Sequence, residues 1–150
     1  MSSKTIFLLA ALIGGAVVPV QVAINSRLTG YIGQPMQVTF ISFVVGSIAS
    51  CSICLLAGYS LPEMAFLTQT SWWMWIGGCL GSLYVWSTIF ATPKIGAGAA
   101  IGLTIAGQMI TGLFLDHFGL IGLTKQAATP LRIAGTAIAI LGVSMVAAQK

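Results

Sequence analysis

Polar side chains recur at helical spacing inside stretches of sequence that are otherwise apolar. Gln21 and Asn25 are four residues apart in one stretch, and Thr104, Gln108 and Thr111 continue the same spacing in another. Residues three or four apart share one face of an α-helix. Amides and hydroxyls on such a face can bind a substrate in a pocket or hydrogen-bond to a neighbouring helix. Gln21, Asn25, Thr104 and Gln108 are therefore candidates for substrate binding, with helix packing as the alternative.

The surroundings of Gln21 favour the pocket. Gly14 lies on the same helical face, and Pro19 falls two residues before the amide. A proline inside a helix removes one backbone hydrogen bond and tends to bend the helix. The carbonyl that it frees would place a second polar group beside Gln21.

Two large aromatic residues, Tyr84 and Trp86, lie near the middle of the third apolar stretch. Aromatic residues of a membrane belt belong at the ends of a span. Their polar tips need partners, and a ring face can hold a cation. They either line a pocket or pack against the glycines of a neighbouring helix.

Asp116 and His117 form the only acid–histidine neighbourhood of the chain. Asp116 lies about 28 Å along a helix that begins at Ala97, at 1.5 Å per residue, which places it near a membrane surface. An ordinary interfacial role is one interpretation. Because histidine can change its charge near neutral pH, a proton-linked role for Asp116 and His117 is the other.

Several kinds of chemistry have no residues to support them. No Asp, Glu, Lys or Arg falls clearly in the middle of an apolar stretch, where ion pumps and proton antiporters usually keep one. The CxxC of Cys51 and Cys54 has no second pair and no histidine beside it, so zinc or redox chemistry is not indicated. We therefore predict no enzyme activity, no cofactor and no metal.

The composition is that of a membrane protein. Apolar residues make up 57% of the chain and charged residues 5%, whereas a soluble domain carries about 25% charged residues. The net charge of +4 comes from residues scattered singly, so no basic patch points to nucleic acid. The partners that we expect are the lipid bilayer and a small-molecule substrate.

Five apolar stretches can cross a bilayer, for which a helix needs about 20 residues. They are residues 5–24, 36–57, 72–91, 97–116 and 131–148. We predict an all-α membrane protein with a single domain of five transmembrane helices. Thr129 before a proline predicts the start of the last span, and Gly119 predicts the end of the fourth. Ser60 and Glu63 have the spacing of a capping box, which predicts a short helix on the membrane surface.

The basic residues do not favour one orientation in the membrane. With five spans, they divide into Lys4, Lys125 and Arg132 on one side and Arg27, Lys94 and Lys150 on the other. The positive-inside rule requires an imbalance of Lys and Arg. Either a subtler feature sets one orientation, or copies insert both ways and pair as an antiparallel homodimer. Gly135, Ala139 and Gly142 form the small-residue face that we expect at the contact between two chains.

Two segments resemble the YdcZ family of bacterial inner-membrane proteins, which is placed in the drug/metabolite transporter superfamily. They read GAVVPVQVAINSRL in the first span and TPKIGAGAAIGLTIAGQMITGLFLDHFGLIG around the fourth. The resemblance extends over nearly the whole chain. It implies a multi-pass protein of the bacterial inner membrane, built as half of a ten-helix architecture with inverted repeats. It does not supply a substrate.

The chain also resembles, more remotely, the four-helix small multidrug resistance proteins. Those proteins use a membrane-buried Glu in the first helix, whereas this chain has Gln21 in that region. The main hypothesis is a secondary transporter, an exporter of a small organic metabolite or drug-like cation, that works as an antiparallel homodimer by alternating access. The alternative is a passive channel or a membrane subunit that requires a different partner chain.

Overall fold

The fold is all-helical. The computed structural model describes residues 3–60 and 62–148. Its helices are α1 (Ser3–Ile32), α2 (Pro35–Leu56), α3 (Phe66–Gln69), α4 (Ile76–Ile95), α5 (Ala97–Phe118) and α6 (Pro130–Ala148). Five helices in the described part of the chain are long and apolar enough to cross a membrane. The prediction of an all-α protein with five transmembrane helices is therefore confirmed, and α1, α2, α4, α5 and α6 are its five spans.

The first span is longer than its apolar sequence suggests. α1 continues to Ile32 instead of ending near Ile24, because helical hydrogen bonds join backbone groups and do not require apolar side chains. The helix ends where Gly33 takes a φ of 92°, a conformation that glycine adopts without steric cost. Pro19 lies inside α1, as the sequence indicates.

The third span begins at Trp72, as predicted, but ends later than predicted. Its first residues, Trp72–Trp75, form a 3-10 turn, and the α-helix begins at Ile76. At the other end α4 runs through Pro93 to Ile95 instead of ending near Ala91. A proline in the last turn removes only one backbone hydrogen bond, so the helix can continue past it.

The predicted helix ends were right in two places and wrong in one. The backbone N–H of Arg132 donates to Thr129 Oγ1 at 3.3 Å, which caps α6. Gly119 closes α5 in the left-handed conformation at φ 63°. A short helix does precede the third span, as predicted, but the capping box was wrong, because α3 begins only at Phe66 and no side chain caps it.

The contacts divide the chain into two compact units, one up to Phe90 and one from Ala91 onward. In the first, which we call the amino-terminal unit, Val38, Val85 and Ile89 form a buried aliphatic cluster. Val38 lies near the start of α2, and Ile89 lies about two turns before the end of α4. The three long helices of this unit therefore pack most closely at the end where α1 turns into α2. At the opposite end, residues 44–60 and 71–80 are exposed.

The second unit contains a helical hairpin, in which α5 packs along α6. The closest approach is at Gly102, where an added Cβ would lie 2.8 Å from Cγ1 of Val143. Gly98 has ordinary contact distance to Val146, at 3.7 Å. These glycines bring two helices together in the way that small residues do in membranes. We call this pair the carboxy-terminal hairpin.

Candidate functional site

A polar cavity lies among the helices of the amino-terminal unit, and we call it the amide cavity. Its volume is about 270 Å³. It is lined by residues of α1, α2 and α4, namely Gln21, Ser42, Phe43, Gly46, Ser50 and Val85. All of these lining groups are uncharged, and one of them, Gln21, is a predicted substrate-binding residue.

Asn25 connects to this cavity through Ser42. The hydroxyl of Ser42 donates to Asn25 Oδ1 at 2.8 Å, which joins α2 to α1. Asn25 lies one helical turn from Gln21 and is 5% exposed. The predicted stripe of α1 therefore places one amide on the cavity and a second amide beside it.

Two polar side chains of α1 that follow Gln21 in the sequence have atoms that lack hydrogen-bond partners in the part of the chain that the structure describes. Within the described residues, the Nδ2 group of Asn25 is buried without an acceptor, and the hydroxyl of Ser26 is also buried without a partner. A buried polar group that makes no hydrogen bond costs about 1–3 kcal/mol. Such groups are common where a ligand or a second conformation completes the hydrogen bonding.

The two aromatic candidates of α4 have different surroundings. Tyr84 is partly buried and packs against the cluster of Val38, Val85 and Ile89. Trp86 stacks on Phe90, with ring centroids 5.5 Å apart and an angle of 17° between the planes. Neither ring is among the residues that line the amide cavity. Their substrate-binding role stays a prediction.

The candidates on α5 belong to the other unit. Thr104 donates its hydroxyl hydrogen to the carbonyl of Ile101 in its own helix, at 2.7 Å. Gln108 is exposed at the centre of α5. An amide at this depth needs a polar partner, because lipid cannot hydrogen-bond to it. The amide of Gln108 therefore needs a hydrogen-bond partner from a surface outside α5.

Five of the six residues that line the amide cavity were missed from the sequence, and three of them are small residues of α2. Ser42, Gly46 and Ser50 follow one another at four-residue intervals in α2. Small residues at this spacing are typical of helix packing in membranes. Because their side chains are small, the same residues also leave a cavity between the helices. In the sequence, only the polar side chain of Gln21 could have indicated that cavity.

Asp116 is held in an ion pair at the end of the carboxy-terminal hairpin. Nη2 of Arg132 donates to Asp116 Oδ2 at 2.5 Å. Nη1 of the same guanidinium donates to the backbone carbonyls of Gln126 and Ala127, at 3.1 and 3.3 Å. The ion pair therefore fastens the loop between α5 and α6 to both helices.

His117 also contacts this loop. Its Nδ1 atom accepts a hydrogen bond from the backbone N–H of Ala128 at 3.1 Å. A second bond runs from the N–H of Gln126 to the carbonyl of Asp116, at 2.8 Å. Asp116 and His117 thus have structural partners, and their proton-linked role stays a prediction.

A larger cavity lies beside the ion pair, between α5 and α6, and we call it the hairpin cavity. Its volume is about 460 Å³. It is lined by Met109, Gly112, Leu113, Asp116, Arg132, Gly135 and Thr136. Gly135 belongs to the small-residue face predicted to contact a second chain. The other two residues of that face do not line the cavity: Ala139 is half-buried, and Gly142 has open space around it. The contact with a second chain stays a prediction.

Comparison with known proteins agrees with this architecture. A family model described as "Putative inner membrane exporter, YdcZ" matches residues 6–145. The inner membrane protein YdcZ of Escherichia coli (strain K12) is 30% identical over 146 residues, which cover 94% of this chain and 92% of that protein. No solved structure matches the chain significantly.

The match extends over all five long helices, and with it the resemblance in the sequence is confirmed. The inner-membrane location follows from the family and from the five spans. The description of the family supports a role in export. The chain belongs to the YdcZ family of inner-membrane proteins.

Proposed function

We propose that the protein is a secondary transporter that exports a small organic metabolite or a drug-like cation. The observation that carries this proposal is the amide cavity, where Gln21 and the Asn25–Ser42 pair lie between helices in a membrane protein. Polar groups inside a membrane are expensive and generally serve a substrate or ion pathway. The unpartnered Nδ2 group of Asn25 supports the same reading, because a substrate oxygen could accept from it.

The lining of the amide cavity supports an uncharged substrate or a cation of low charge density. Gln21 and the serines offer hydrogen bonds, and Phe43 offers a ring face. A compact cation would lose its hydration without gaining a counter-charge from this lining. A delocalised organic cation loses less, and a ring face can partly compensate it.

The working unit that we propose is an antiparallel homodimer. Gln108 is exposed at mid-membrane and needs a polar partner, which a second copy of the chain would provide. The equal division of Lys and Arg allows insertion in both orientations. Two oppositely oriented copies would form the inverted repeat that supports alternating access. The face of Gly135, Ala139 and Gly142 is the proposed contact.

The test of transport uses the purified protein in liposomes with tetraphenylphosphonium as the probe cation. Accumulation of the probe against its gradient, driven by an imposed pH gradient at zero membrane potential and exceeding that in protein-free liposomes, is expected of a secondary transporter. Movement that stops at equal concentrations would instead indicate a passive channel. No movement of this probe would contradict the drug-like cation as substrate class.

The site is tested with Gln21→Leu, which removes the amide but keeps the apolar bulk. Transport should fall at least tenfold, equal to about 1.4 kcal/mol of lost interaction, while the amount inserted into the membrane stays the same. Gln37→Leu is the matched control, because Gln37 is exposed in the first turn of α2 and lies outside the cavity. Equal loss in both variants would contradict the proposed site.

A separate variant tests the role of the second copy. Gln108→Leu should abolish transport while insertion into the membrane is retained. Unchanged transport would exclude Gln108 from the pathway. Orientation is measured with a topology reporter at the carboxy terminus, where signal from both sides of the membrane is expected. Signal from one side only would contradict antiparallel pairing.

A further inference from the structure

The hairpin cavity has a charged end whose hydrogen-bonding capacity is only partly used. A guanidinium has five N–H donors. Arg132 makes three side-chain hydrogen bonds, to Asp116, Gln126 and Ala127. At least two of its N–H groups therefore have no acceptor in the described part of the chain. Its side chain is 34% exposed, so these donors are open to a ligand.

The carboxylate of Asp116, at the same end of the cavity, also has unused hydrogen-bonding capacity. Asp116 accepts from Arg132 through Oδ2, and Oδ1 receives no hydrogen bond from the residues that the structure describes. Its side chain is 31% exposed. Within the described residues, the cavity thus presents unpaired N–H donors of the Arg132 guanidinium next to an unpaired acceptor oxygen of the Asp116 carboxylate.

The position of the ion pair matches the level of lipid head groups. Asp116 lies in the last turn of α5, and Arg132 lies in the first turn of α6. Both helices are long enough to span the hydrocarbon core. The charged end of the cavity is therefore at a membrane surface, and the rest of it extends toward the hydrocarbon.

The deeper walls of the cavity are apolar and are spaced apart by glycine. Met109 and Leu113 lie one to two turns below Asp116. An added Cβ at Gly112 or Gly135 would meet no atom within 4 Å, so the two helices leave open space between them here. The volume of about 460 Å³ falls in the range of about 300–1,000 Å³ that holds small-molecule ligands.

We propose that the hairpin cavity binds a membrane phospholipid whose head group carries both a phosphate and an amine. The free N–H groups of Arg132 donate to the phosphate, and Asp116 Oδ1 accepts from the ammonium. The upper part of an acyl chain lies against Met109 and Leu113. A lipid fits better than a soluble molecule of the same charges, because the apolar walls continue from the head-group level into the membrane.

The experiment measures thermal unfolding of the purified full-length protein in detergent with added lipids. A ligand that binds only the folded state raises the unfolding midpoint. Phosphatidylethanolamine should raise it most. Phosphatidylcholine should raise it less because its quaternary amine has no N–H, and phosphatidylglycerol should raise it less because it has no amine. Soluble glycerophosphoethanolamine at equal concentration should not raise it.

The variant Gly135→Leu fills the cavity and leaves the ion pair in place. It should bind phosphatidylethanolamine about tenfold more weakly, which corresponds to about 1.4 kcal/mol. Gly107→Leu is the matched control, because Gly107 has the same open surroundings but does not line the cavity. Because Gly135 also belongs to the proposed dimer contact, Gly112→Leu fills the same cavity from α5 and should weaken binding to the same extent. If both variants fail to fold, Asp116→Asn tests the site, and it should lose the preference for phosphatidylethanolamine over phosphatidylglycerol.

Four results would overturn the proposal. Equal binding of phosphatidylethanolamine by Gly135→Leu and the original chain would show that the lipid binds elsewhere. Equal effects of the three lipids would show non-specific solvation. An equal effect of the soluble head group would identify a site for a water-soluble zwitterion. A changed oligomeric state in Gly135→Leu with unchanged lipid binding would assign the cavity to a second copy of the chain.

Discussion

The amino-terminal unit and the carboxy-terminal hairpin treat polar groups in opposite ways. In the amino-terminal unit the amide of Asn25 and the hydroxyl of Ser26 are buried without full hydrogen bonding, and Asn25 is bonded to Ser42 on the wall of the amide cavity. In the hairpin Asp116 and Arg132 pair with each other and tie down the connecting loop. Among the residues that the structure describes, the amino-terminal unit leaves buried polar groups without partners, whereas the hairpin pairs its charged groups across two helices and leaves only partly exposed atoms of them free.

The packing of the two regions differs in the same sense. The hairpin is closed by Gly102, which lets α5 contact Val143 of α6. In the amino-terminal unit the glycine on the cavity, Gly46, meets no atom within 4 Å of an added Cβ. Glycine therefore allows close contact between helices at Gly102 and leaves open space at Gly46. Stability should therefore depend mainly on the hairpin, and transport on the cavity.

The largest change in stability is expected at the closest contact of the hairpin. In Gly102→Ala the new methyl group would lie 2.8 Å from Val143, and overpacking of this kind costs about 1–3 kcal/mol. Gly107→Ala has open surroundings and should stabilise by about 0.5–1 kcal/mol, because alanine favours the helix. Unfolding in detergent measures both.

A second substitution checks the cause of this loss. Adding Val143→Ala to Gly102→Ala should restore most of the lost stability, because it removes the atoms that the new methyl group would meet. A loss of the same size in the double variant would mean that the helix contact is not the reason.

The next effect concerns the ion pair. Arg132→Leu removes the partner of Asp116 and the donors to two loop carbonyls. The charges are about one-third exposed, so the pair itself contributes only about 0–1 kcal/mol, and each of the two exposed hydrogen bonds from the guanidinium to a loop carbonyl adds about 0.5 kcal/mol. We expect a total loss of about 1–2 kcal/mol and faster proteolysis of residues 119–129. Undiminished protection of that loop would contradict its attachment through Arg132.

The amino-terminal unit should respond in the opposite direction at Asn25. Asn25→Leu removes a buried donor that has no acceptor, and Ser42 can then bond to a carbonyl of its own helix, as Ser52 does. We expect stability to rise by up to about 1 kcal/mol and transport to fall. Ser42→Ala is the contrasting variant, because it leaves Asn25 with fewer partners and should destabilise. A loss of stability in Asn25→Leu would contradict the view that this region keeps polar capacity at the expense of stability.

The smallest effect is expected at His117. His117→Phe removes the acceptor for the N–H of Ala128 and should cost about 1 kcal/mol or less. His117→Asn offers a side-chain oxygen in place of Nδ1 and should recover part of this loss. Exchange of the Ala128 amide hydrogen measures the bond directly. If the Ala128 amide exchanges equally fast in His117→Phe and in the original chain, the imidazole does not protect this amide.

The five spans could be predicted because length and apolar composition determine whether a helix crosses a membrane. The end of α1 could not, because Asn25, Ser26 and Arg27 interrupt the apolar sequence while the backbone hydrogen bonds of the helix continue. The pairing of Asp116 with Arg132 depends on how α5 turns into α6, which spacing does not determine. Ser42 and Ser50 could not be assigned to a cavity from the sequence, since small side chains at helical spacing do not indicate whether a neighbour fills the space beside them.

The close packing of the amino-terminal unit at one end has a consequence for the speed of transport. Val38, Val85 and Ile89 close the helices near the turn at Gly33, and the opposite end is exposed. Passage of a substrate past this cluster would expose its side chains to water, at about 1.5–3 kcal/mol for each. In the proposed transport cycle the cluster would then be an activation barrier on one side of the membrane. Its size sets how often that side opens, so smaller side chains at Ile89 should raise the turnover rate before they impair binding.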